Sequence, residues 1–317
     1  MRCPSLKDLP PPPPGKTGWP WDEQSPQLPD TMADGRPWPR FSVVTPSYNQ
    51  GRYLEETIRS VLLQGYPNLE YLVIDGGSND ESVDVIKKYE KWLAYWVSEK
   101  DRGQSHAINK GIEKTSGDIV AYINSDDFYT KESFVSVAKS LDPTAPRLLF
   151  GDLNLVEGTD PKVIARLRKD TVGPLEMLYE GVPLCQPSCF WTRPLLDKIG
   201  LFNESLHYTM DYDLMLRIVT AKAEQIYVPY VFAVERRHVE QKTDARNKQA
   251  IYCERAYTRL AAASRLGMNK WSFLIRALLH RRIRRPFPWG RWKELTLQEK
   301  MLLSAIINRD KSALHKN

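Results

Sequence analysis

The chain has 317 residues, 42% hydrophobic and 10% aromatic, with a formal net charge of +6. That is enough apolar material for one large α/β domain or a domain with an appendage, which excludes wholesale disorder. No apolar run approaches the ~20 residues that a bilayer-spanning helix needs.

The stretch MRCPSLKDLPPPPP lacks the apolar core of a signal peptide. Cys3, Cys185, Cys189 and Cys253 form neither a CxxC pair nor a Cys/His set at zinc spacing. Reduced thiols in a cytoplasmic setting are the expectation. Charge is unevenly spread: residues 241–317 hold 18 Lys+Arg against 5 Asp+Glu, and residues 1–240 hold 27 against 34. An acidic body with a basic tail bears on partners rather than on fold.

In chain order, residues 1–39 are rich in Pro and Trp, with PPPPP at 10–14 and WPW at 19–21. They predict an extended, partly polyproline segment lying on the domain surface, anchored by its tryptophans. From Phe41 the pattern becomes regular. FSVVT reads as a buried strand, followed by the loop PSYNQG. Leu54, Ile58, Val61 and Leu62 have helical spacing, and Gly65 and Pro67 end that helix. LEYLVID is a second strand, closing at Asp75 and the glycine-rich turn GGSND. Ser78 or Asp80 can cap the helix bearing Val83, Ile86 and Tyr89. AYWVSE predicts a third strand, residues 104–114 a helix, and Asp118–Ile123 a fourth strand.

Strands alternating with helices predict a parallel, doubly wound sheet. Ligands of such sheets bind beyond the carboxyl ends of the strands, where Thr45–Pro46, Asp75 and Asp126 all lie. Further on, LLFGD (148–152), VIARLR (163–168), QPSCFWTR and IYVPYV read as strands. PLEMLYEG and residues 194–199 read as helices. MDYDLMLRIVTA opens with acids and continues as an amphipathic helix. Residues 241–317 read as mostly helical and basic. No internal repeat is visible.

Four places carry chemistry. Asp75 precedes Gly76 and Gly77, which free the backbone for close approach of a ligand. A carboxylate there can accept hydrogen bonds from a nucleobase or a ribose, although an Asx-turn capping the next helix would use the same residues. Asn124, Ser125, Asp126 and Asp127 put adjacent carboxylates at a strand end. Hard oxygen ligands there suit Mg²⁺ or Mn²⁺, with substrate phosphates completing the shell; the alternative is a solvated polar turn. Of Asp211 and Asp213, one acid can favour the helix N-terminus while the other serves as general base. His238, in ERRHVEQKT, is either a metal or phosphate ligand or an ordinary packed histidine. Cys185 and Cys189 read as packed thiols.

The segments VVTPSYNQGRYLEETIRSVLLQGYPNLEYLVIDGGSNDESVDVIKKY and DRGQSHAINKGIEKTSGDIVAYINSDD resemble the donor half of family 2 glycosyltransferases. QPSCFWTR…IGLFNESLHYTMDYDLMLR is similar to their acceptor half. The resemblance implies the GT-A fold: a Rossmann-like, mostly parallel sheet flanked by helices, followed here by a helical basic extension. It also implies an order of parts, with a Pro/Trp-rich segment at 1–39 and a GT-A domain at 40–240. Within that domain the donor half is 40–130 and the acceptor half 131–240, and the extension is 241–317.

By the same resemblance Thr45, Pro46, Asn49, Asp75, Gly76, Ser78, Asp101, Asn109, Lys110, Asn124, Ser125 and Gln186 line the nucleotide-sugar site. Asp126, with His238 as a second candidate, would hold Mn²⁺ or Mg²⁺, and Asp211 would be the catalytic base. The chain departs from the common pattern at Asn124, which stands where the metal motif usually begins with Asp, and at Met210, where an acid usually precedes the base. The processive-type QxxRW signature is absent.

The implied reaction moves one sugar, with inversion, from a UDP, GDP or dTDP sugar to a hydroxyl of a glycan or lipid-linked acceptor, as in cell-envelope polysaccharide synthesis. A glycosidase using Asp126 and Asp211 is the main alternative, and a non-catalytic sugar-nucleotide or nucleic-acid binder is another. The glycine-rich turn after a parallel strand argues for a nucleotide ligand, and no nucleic-acid-binding signature accompanies RRIRRPFPWGRWK. Residues 271–293 combine apolar, arginine and tryptophan positions. That composition fits either peripheral contact with the inner face of an anionic membrane or a tail packing Leu274, Ile275, Leu278 and Leu279 on the protein.

Overall fold

A computed structural model describes residues 1–168, 173, 176–180, 185–242, 245–284, 300, 302 and 304. Packing divides them into two units. One comprises Met1–Asp170, Cys185–Glu204 and Ala223–Arg237, and the other the described residues within Thr171–Leu184, Ser205–Lys222 and His238–Asn317. The sequence segments divide the chain at 40 and 240; packing takes residues 205–222 out of the middle and joins them to the C-terminal part.

The first unit is an α/β sheet protein. Its elements run β1 (Phe41–Ser47), α1 (Gly51–Leu62), β2 (Leu69–Asp75), α2 (Ser82–Tyr89), β3 (Tyr95–Ser98), α3 (Gln104–Glu113), β4 (Ile119–Tyr122), β5 (Phe128–Tyr129), α4 (Ser133–Ser140), β6 (Arg147–Glu157), β7 (Asp160–Leu167), β8 (Cys189–Thr192), α5 (Arg193–Ile199) and β9 (Glu224–Arg237). The strand order is β3-β2-β1-β4-β8-β6-β9-β5, with β7 hanging on β6. Pairing is parallel across β3-β2-β1-β4 and again between β6 and β9. It is antiparallel at β4–β8, β6–β8, β6–β7 and β5–β9.

The local causes are plain. Every residue of FSVVTPS is buried, as a strand covered on both faces requires. On α1, Tyr53, Leu54, Thr57, Ile58, Val61 and Leu62 form one buried stripe at helical spacing. Phe41 stacks on Phe134 with ring centroids 4.3 Å apart. Helix α3 lies so close to β1 that a Cβ on Gly111 would come within 2.4 Å of Val44 Cγ1.

The Pro/Trp-rich segment is docked, with Cys3, Leu9, Trp21 and Trp38 buried. The anchor is Arg59 of α1, which is fully buried. It donates to the carbonyls of Pro10 (2.9 Å), Pro20 (3.0 Å) and Trp21 (2.6 Å) and to the Tyr89 hydroxyl (3.1 Å).

The second unit contains α6 (Met210–Thr220), α7 (Lys248–Arg265) and α8 (Lys270–Arg284). Where PLEMLYEG predicts a helix, one wide turn of π-helix spans Glu176–Glu180. It is held by Arg259 of α7, whose guanidinium donates to Leu178 O (2.6 Å) and to Tyr179 O. On α8, Phe273, Leu274 and Ala277 are buried, Leu278 is half-buried, and Trp271 and Ile275 are 44% and 56% exposed. Of the residues expected to pack, Leu274 is therefore inside and Ile275 outside. Residues 285–293 of the tail considered for membrane contact lie outside the described residues. Among the described residues no helix is long and apolar enough to cross a membrane.

Candidate active site

The parallel register aligns the strand ends in a row. Ser47 of β1 stands opposite Asp75 of β2, which stands opposite Ser98 of β3. Just beyond β4, Ile123 N donates to Val44 O (3.0 Å), which brings Asn124 alongside the end of β1. The expected crevice residues of the first unit are therefore assembled along one sheet edge.

Asp75 is fully buried and is the organiser of its own turn. Its Oδ2 accepts from Gly77 N (3.1 Å), Ser78 N (2.9 Å) and Ser98 Oγ (2.6 Å), and its Oδ1 accepts from Ser78 Oγ (2.5 Å). The Asx-turn forms, but Asp75 does not cap the next helix, because α2 begins only at Ser82. The β1 and β2 loops are bolted together: Asn49, at φ 52°, donates its N–H to Ser78 Oγ (2.8 Å) and accepts from Asn79 N through Oδ1 (2.9 Å). Gly76 makes room for side chains rather than for a turn. A Cβ there would lie 2.7 Å from Asp101 Oδ2 and 3.3 Å from the ring of Tyr48. Asp101 in turn accepts from Gly103 N (2.8 Å), which sets the start of α3.

Several expected residues are engaged elsewhere. Thr45 is buried, with its hydroxyl 3.0 Å from that of Tyr71, and Pro46 is buried beside it. Asn109 spends its amide on Phe202 O (2.9 Å), Phe202 N (2.9 Å) and Glu204 (3.1 Å). Lys110 pairs with Glu99. Gln186 is buried and donates to Tyr122 O (2.9 Å).

The acidic turn separates its two carboxylates. Asp126 is half-buried, whereas Asp127 is 3% exposed, accepting from Arg236 N (3.0 Å) and Asn124 Nδ2 (3.3 Å). Burial, followed by the charges of Asp126 and Glu235, pushes the Asp127 carboxyl well above the usual carboxylate range, although the Arg236 and Asn124 bonds oppose the shift. Asn124 Oδ1 accepts from Gln104 Nε2 (2.6 Å), and Ser125 is buried with its carbonyl on Thr57 Oγ1 (2.9 Å). Among the described residues no group of three or more His, Cys, Asp or Glu could hold a metal. The donor set still fits Mg²⁺ or Mn²⁺, because those ions are commonly held by one or two carboxylates plus substrate phosphates and water. Asp126 is the half-buried carboxylate of the turn, and Asp127 the buried one.

The other two candidates belong to the second unit. Asp211 sits in the first turn of α6 and accepts from Tyr212 N (2.7 Å). Burial raises its pKa; the Tyr212 bond and the Arg255 charge pull it down, and Glu254 pushes it up. Asp213 is buried and paired, 2.9 Å from Arg217 and 3.6 Å from Arg265. His238 has its Nδ1 4.0 Å from Glu240 Oε2. Its backbone N–H donates to Gln241 Oε1 (3.3 Å).

Two residues escaped the sequence reading. Tyr48, 62% exposed beside Gly76, offers an aromatic face just beyond the end of β1; an aromatic in a loop after a strand was its only signal. Arg236 grips the acidic turn and carried no signal, because β9 was expected to end before it.

A family model described as glycosyl transferase family 2 matches residues 42–199. An uncharacterized glycosyltransferase of Mycobacterium tuberculosis is 32% identical over 189 residues, covering 56% of this chain and 68% of that protein. One of Rickettsia typhi is 29% identical over 219 residues, covering 65% of this chain. The chain spans 66% of the length of that Rickettsia typhi relative and 31% of that of a Rickettsia felis relative. Among solved structures, Staphylococcus aureus TarS 1–349 in complex with UDP-GlcNAc has a TM-score of 0.61 at 17% identity, covering 85% of this chain and 80% of that one. The mannosyltransferase PcManGT from Pyrobaculum calidifontis, in complex with GDP-Man and Mn²⁺, gives 0.52 at 20% identity, covering 92% and 78%. At these identities the structures establish the fold.

Proposed function

The chain belongs to glycosyl transferase family 2, and on that premise we propose that it moves one sugar from a nucleoside-diphosphate sugar to an acceptor hydroxyl, with inversion. The observation that carries this is the donor edge: Ser47–Tyr48, Asp75–Gly76, Asp101 and Asn124–Asp126 gathered at the carboxyl ends of β1, β2 and β4. Tyr48 presents a face for stacking on a nucleobase, and Gly77, exposed in the turn that follows, leaves the backbone open to a ligand. The ligands named in the TarS and PcManGT structures, UDP-GlcNAc and GDP-Man, are of this chemical class.

In this reading Asp211 takes the proton of the acceptor hydroxyl. The acceptor oxygen attacks the anomeric carbon from the face opposite the leaving group, and the bond to the diphosphate breaks. A raised carboxyl pKa suits that base, because proton-accepting power grows as the pKa moves towards working pH. Asp126, together with the donor diphosphate, would hold Mn²⁺ or Mg²⁺, which when bound supplies charge neutralisation for the leaving group. Asp127, buried and accepting from Arg236 N, keeps the turn in place. The acceptor we propose is a glycan or lipid-linked hydroxyl of an envelope polysaccharide, reached at a membrane surface through Trp271, Ile275 and the basic tail. A screen of sugar nucleotides for diphosphate release tests the reading. Release of a nucleoside diphosphate from at least one donor supports it, whereas cleavage of simple glycosides with no nucleotide requirement overturns it in favour of a hydrolase.

A further inference from the structure

The second unit contains an arrangement that the reaction as described does not use. Helix α7 sends Glu254 to the segment leading into α6. There its carboxylate accepts from three consecutive backbone N–H groups, those of His207, Tyr208 and Thr209, each at 2.6 Å. The Thr209 hydroxyl adds a fourth bond, to the same Oε2 (3.0 Å). Three adjacent amides converging on one carboxylate make an anion nest filled from within the protein. Charge-assisted bonds of this length are the strong kind.

Thr209 is the residue preceding α6, and its own carbonyl accepts the N–H of Asp213 (2.9 Å). Thr258, one turn beyond Glu254 on α7, reinforces the junction. Its hydroxyl lies 3.1 Å from that of Thr209 and donates to Glu254 O (2.9 Å). Arg255, next to Glu254, lies over the Tyr212 ring with its guanidinium 5.5 Å from the centroid. Tyr212 in turn donates to Met177 O (2.5 Å). Every one of these contacts brackets Asp211 without touching it.

We propose that Glu254 is a positioning residue for Asp211: by closing the 207–209 nest it fixes the first turn of α6 and hence the place of the base. The inference rests on the reading of Asp211 as general base. Helix α7 is therefore part of the reaction apparatus, although it lies beyond the segment matched by the family model. The charged groups that bear on Asp211 from α7 are Glu254 and Arg255, of opposite sign, so the helix also sets its electrostatics.

The test is a double-mutant cycle on turnover, with donor affinity as a second readout. Glu254→Gln keeps the shape but offers a single acceptor oxygen to donors that the carboxylate meets with two, and it should lower kcat roughly 10- to 100-fold, the scale of a misplaced catalytic group. Donor nucleotide affinity should be unchanged. In the Asp211→Asn background the same substitution should cost nothing further, because its effect runs through Asp211. An equal loss in both backgrounds makes Glu254 merely structural and overturns the proposal, as does unchanged kcat in the single variant. If Asp211→Asn alone keeps wild-type turnover, the base assignment fails instead, and the two failures are distinguishable. Should Glu254→Gln melt below the assay temperature, Glu254→Asp carries the same cycle, since it keeps the charge and withdraws the carboxylate by one methylene.

Discussion

Arg236 offers the sharpest quantitative test of the acidic turn. Its side chain is 3% exposed and its guanidinium donates to Asp126 O (2.9 Å), Gly158 O (3.0 Å) and Glu56 Oε2 (3.0 Å). It also lies over Tyr53, 4.8 Å from the ring centroid, and over Phe128, 5.5 Å away. Arg236→Met keeps the stem packing and the backbone N–H on Asp127 but strands Glu56, whose side chain is 14% exposed. Removing one partner of a buried pair costs about 3–5 kcal/mol. Because Glu56 retains some access to water, the lower end applies, about 3 kcal/mol, against a typical total of ~5–15 kcal/mol. Glu56→Gln should cost less, about 1–2 kcal/mol, since Arg236 keeps two carbonyls and two aromatic faces. The double variant removes both charges, so it should be more stable than the sum of the singles by ~1–2 kcal/mol. Urea unfolding followed by tryptophan fluorescence and far-ultraviolet circular dichroism measures all four proteins. Additivity within ~0.5 kcal/mol would show that the pair is not coupled and would refute the account of the turn.

Further outcomes are expected at four places in the chain. Asp126→Ala should abolish turnover, and wild-type activity should vanish in EDTA and return with Mn²⁺ or Mg²⁺; full turnover in EDTA would remove the metal from the proposal. Asp211→Asn should cut turnover by ~10²-fold or more with donor binding intact. Since the base must be deprotonated, wild-type kcat should fall as pH drops through the raised pKa of Asp211, and a flat acid limb would argue against that role. For Asp127 the folded pKa is raised, so its contribution to stability is complete at low pH and is lost as pH rises through that pKa. Asp127→Asn should therefore gain stability over wild type as pH increases, read as a rising difference in urea midpoint, and a difference independent of pH would count against the burial argument. Finally, the full chain should co-sediment with anionic liposomes in a salt-sensitive way and a version ending near residue 270 should not; equal binding by both would exclude the tail as the membrane contact.

The parallel half of the sheet was readable because strands buried on both faces appear as continuous apolar runs, and FSVVT and LEYLVID are such runs. Their ends were readable because glycine and turn residues follow at once. Beyond residue 170 the signals weaken for identifiable reasons. PLEMLYEG has helical spacing, yet the turn at 176–180 is fixed by Arg259, about 80 residues away in sequence. IYVPYV marks only the middle of β9, which runs from Glu224 to Arg237 because β6 pairs along nearly its whole length. Arg236 therefore sits in a strand rather than in the loop its charged neighbours imply. Helix α6 was placed correctly, but nothing local says that it packs with α7, since Glu254 is an ordinary acid on a helix until the amides of 207–209 are brought to it.

The two pairs of acids make the same point about reading chemistry from spacing. Asp126 and Asp127 are adjacent, and electrostatics alone says that a cation must reconcile them. The fold reconciles them first, by burying Asp127, biasing it towards its neutral form and hydrogen-bonding it to Arg236 N. Asp211 and Asp213 divide likewise, Asp213 being buried in ion pairs with Arg217 and Arg265 while Asp211 stands at the helix N-terminus under the opposed charges of Glu254 and Arg255. In each pair one carboxylate is engaged inside the fold, Asp127 on a backbone N–H and Asp213 on two guanidinium groups. A substitution of the structural acid should therefore act on reactivity through geometry, and one of the reactive acid should leave the backbone in place. That asymmetry is what would separate the proposed catalytic site from a solvated acidic turn, in which the two acids would be interchangeable.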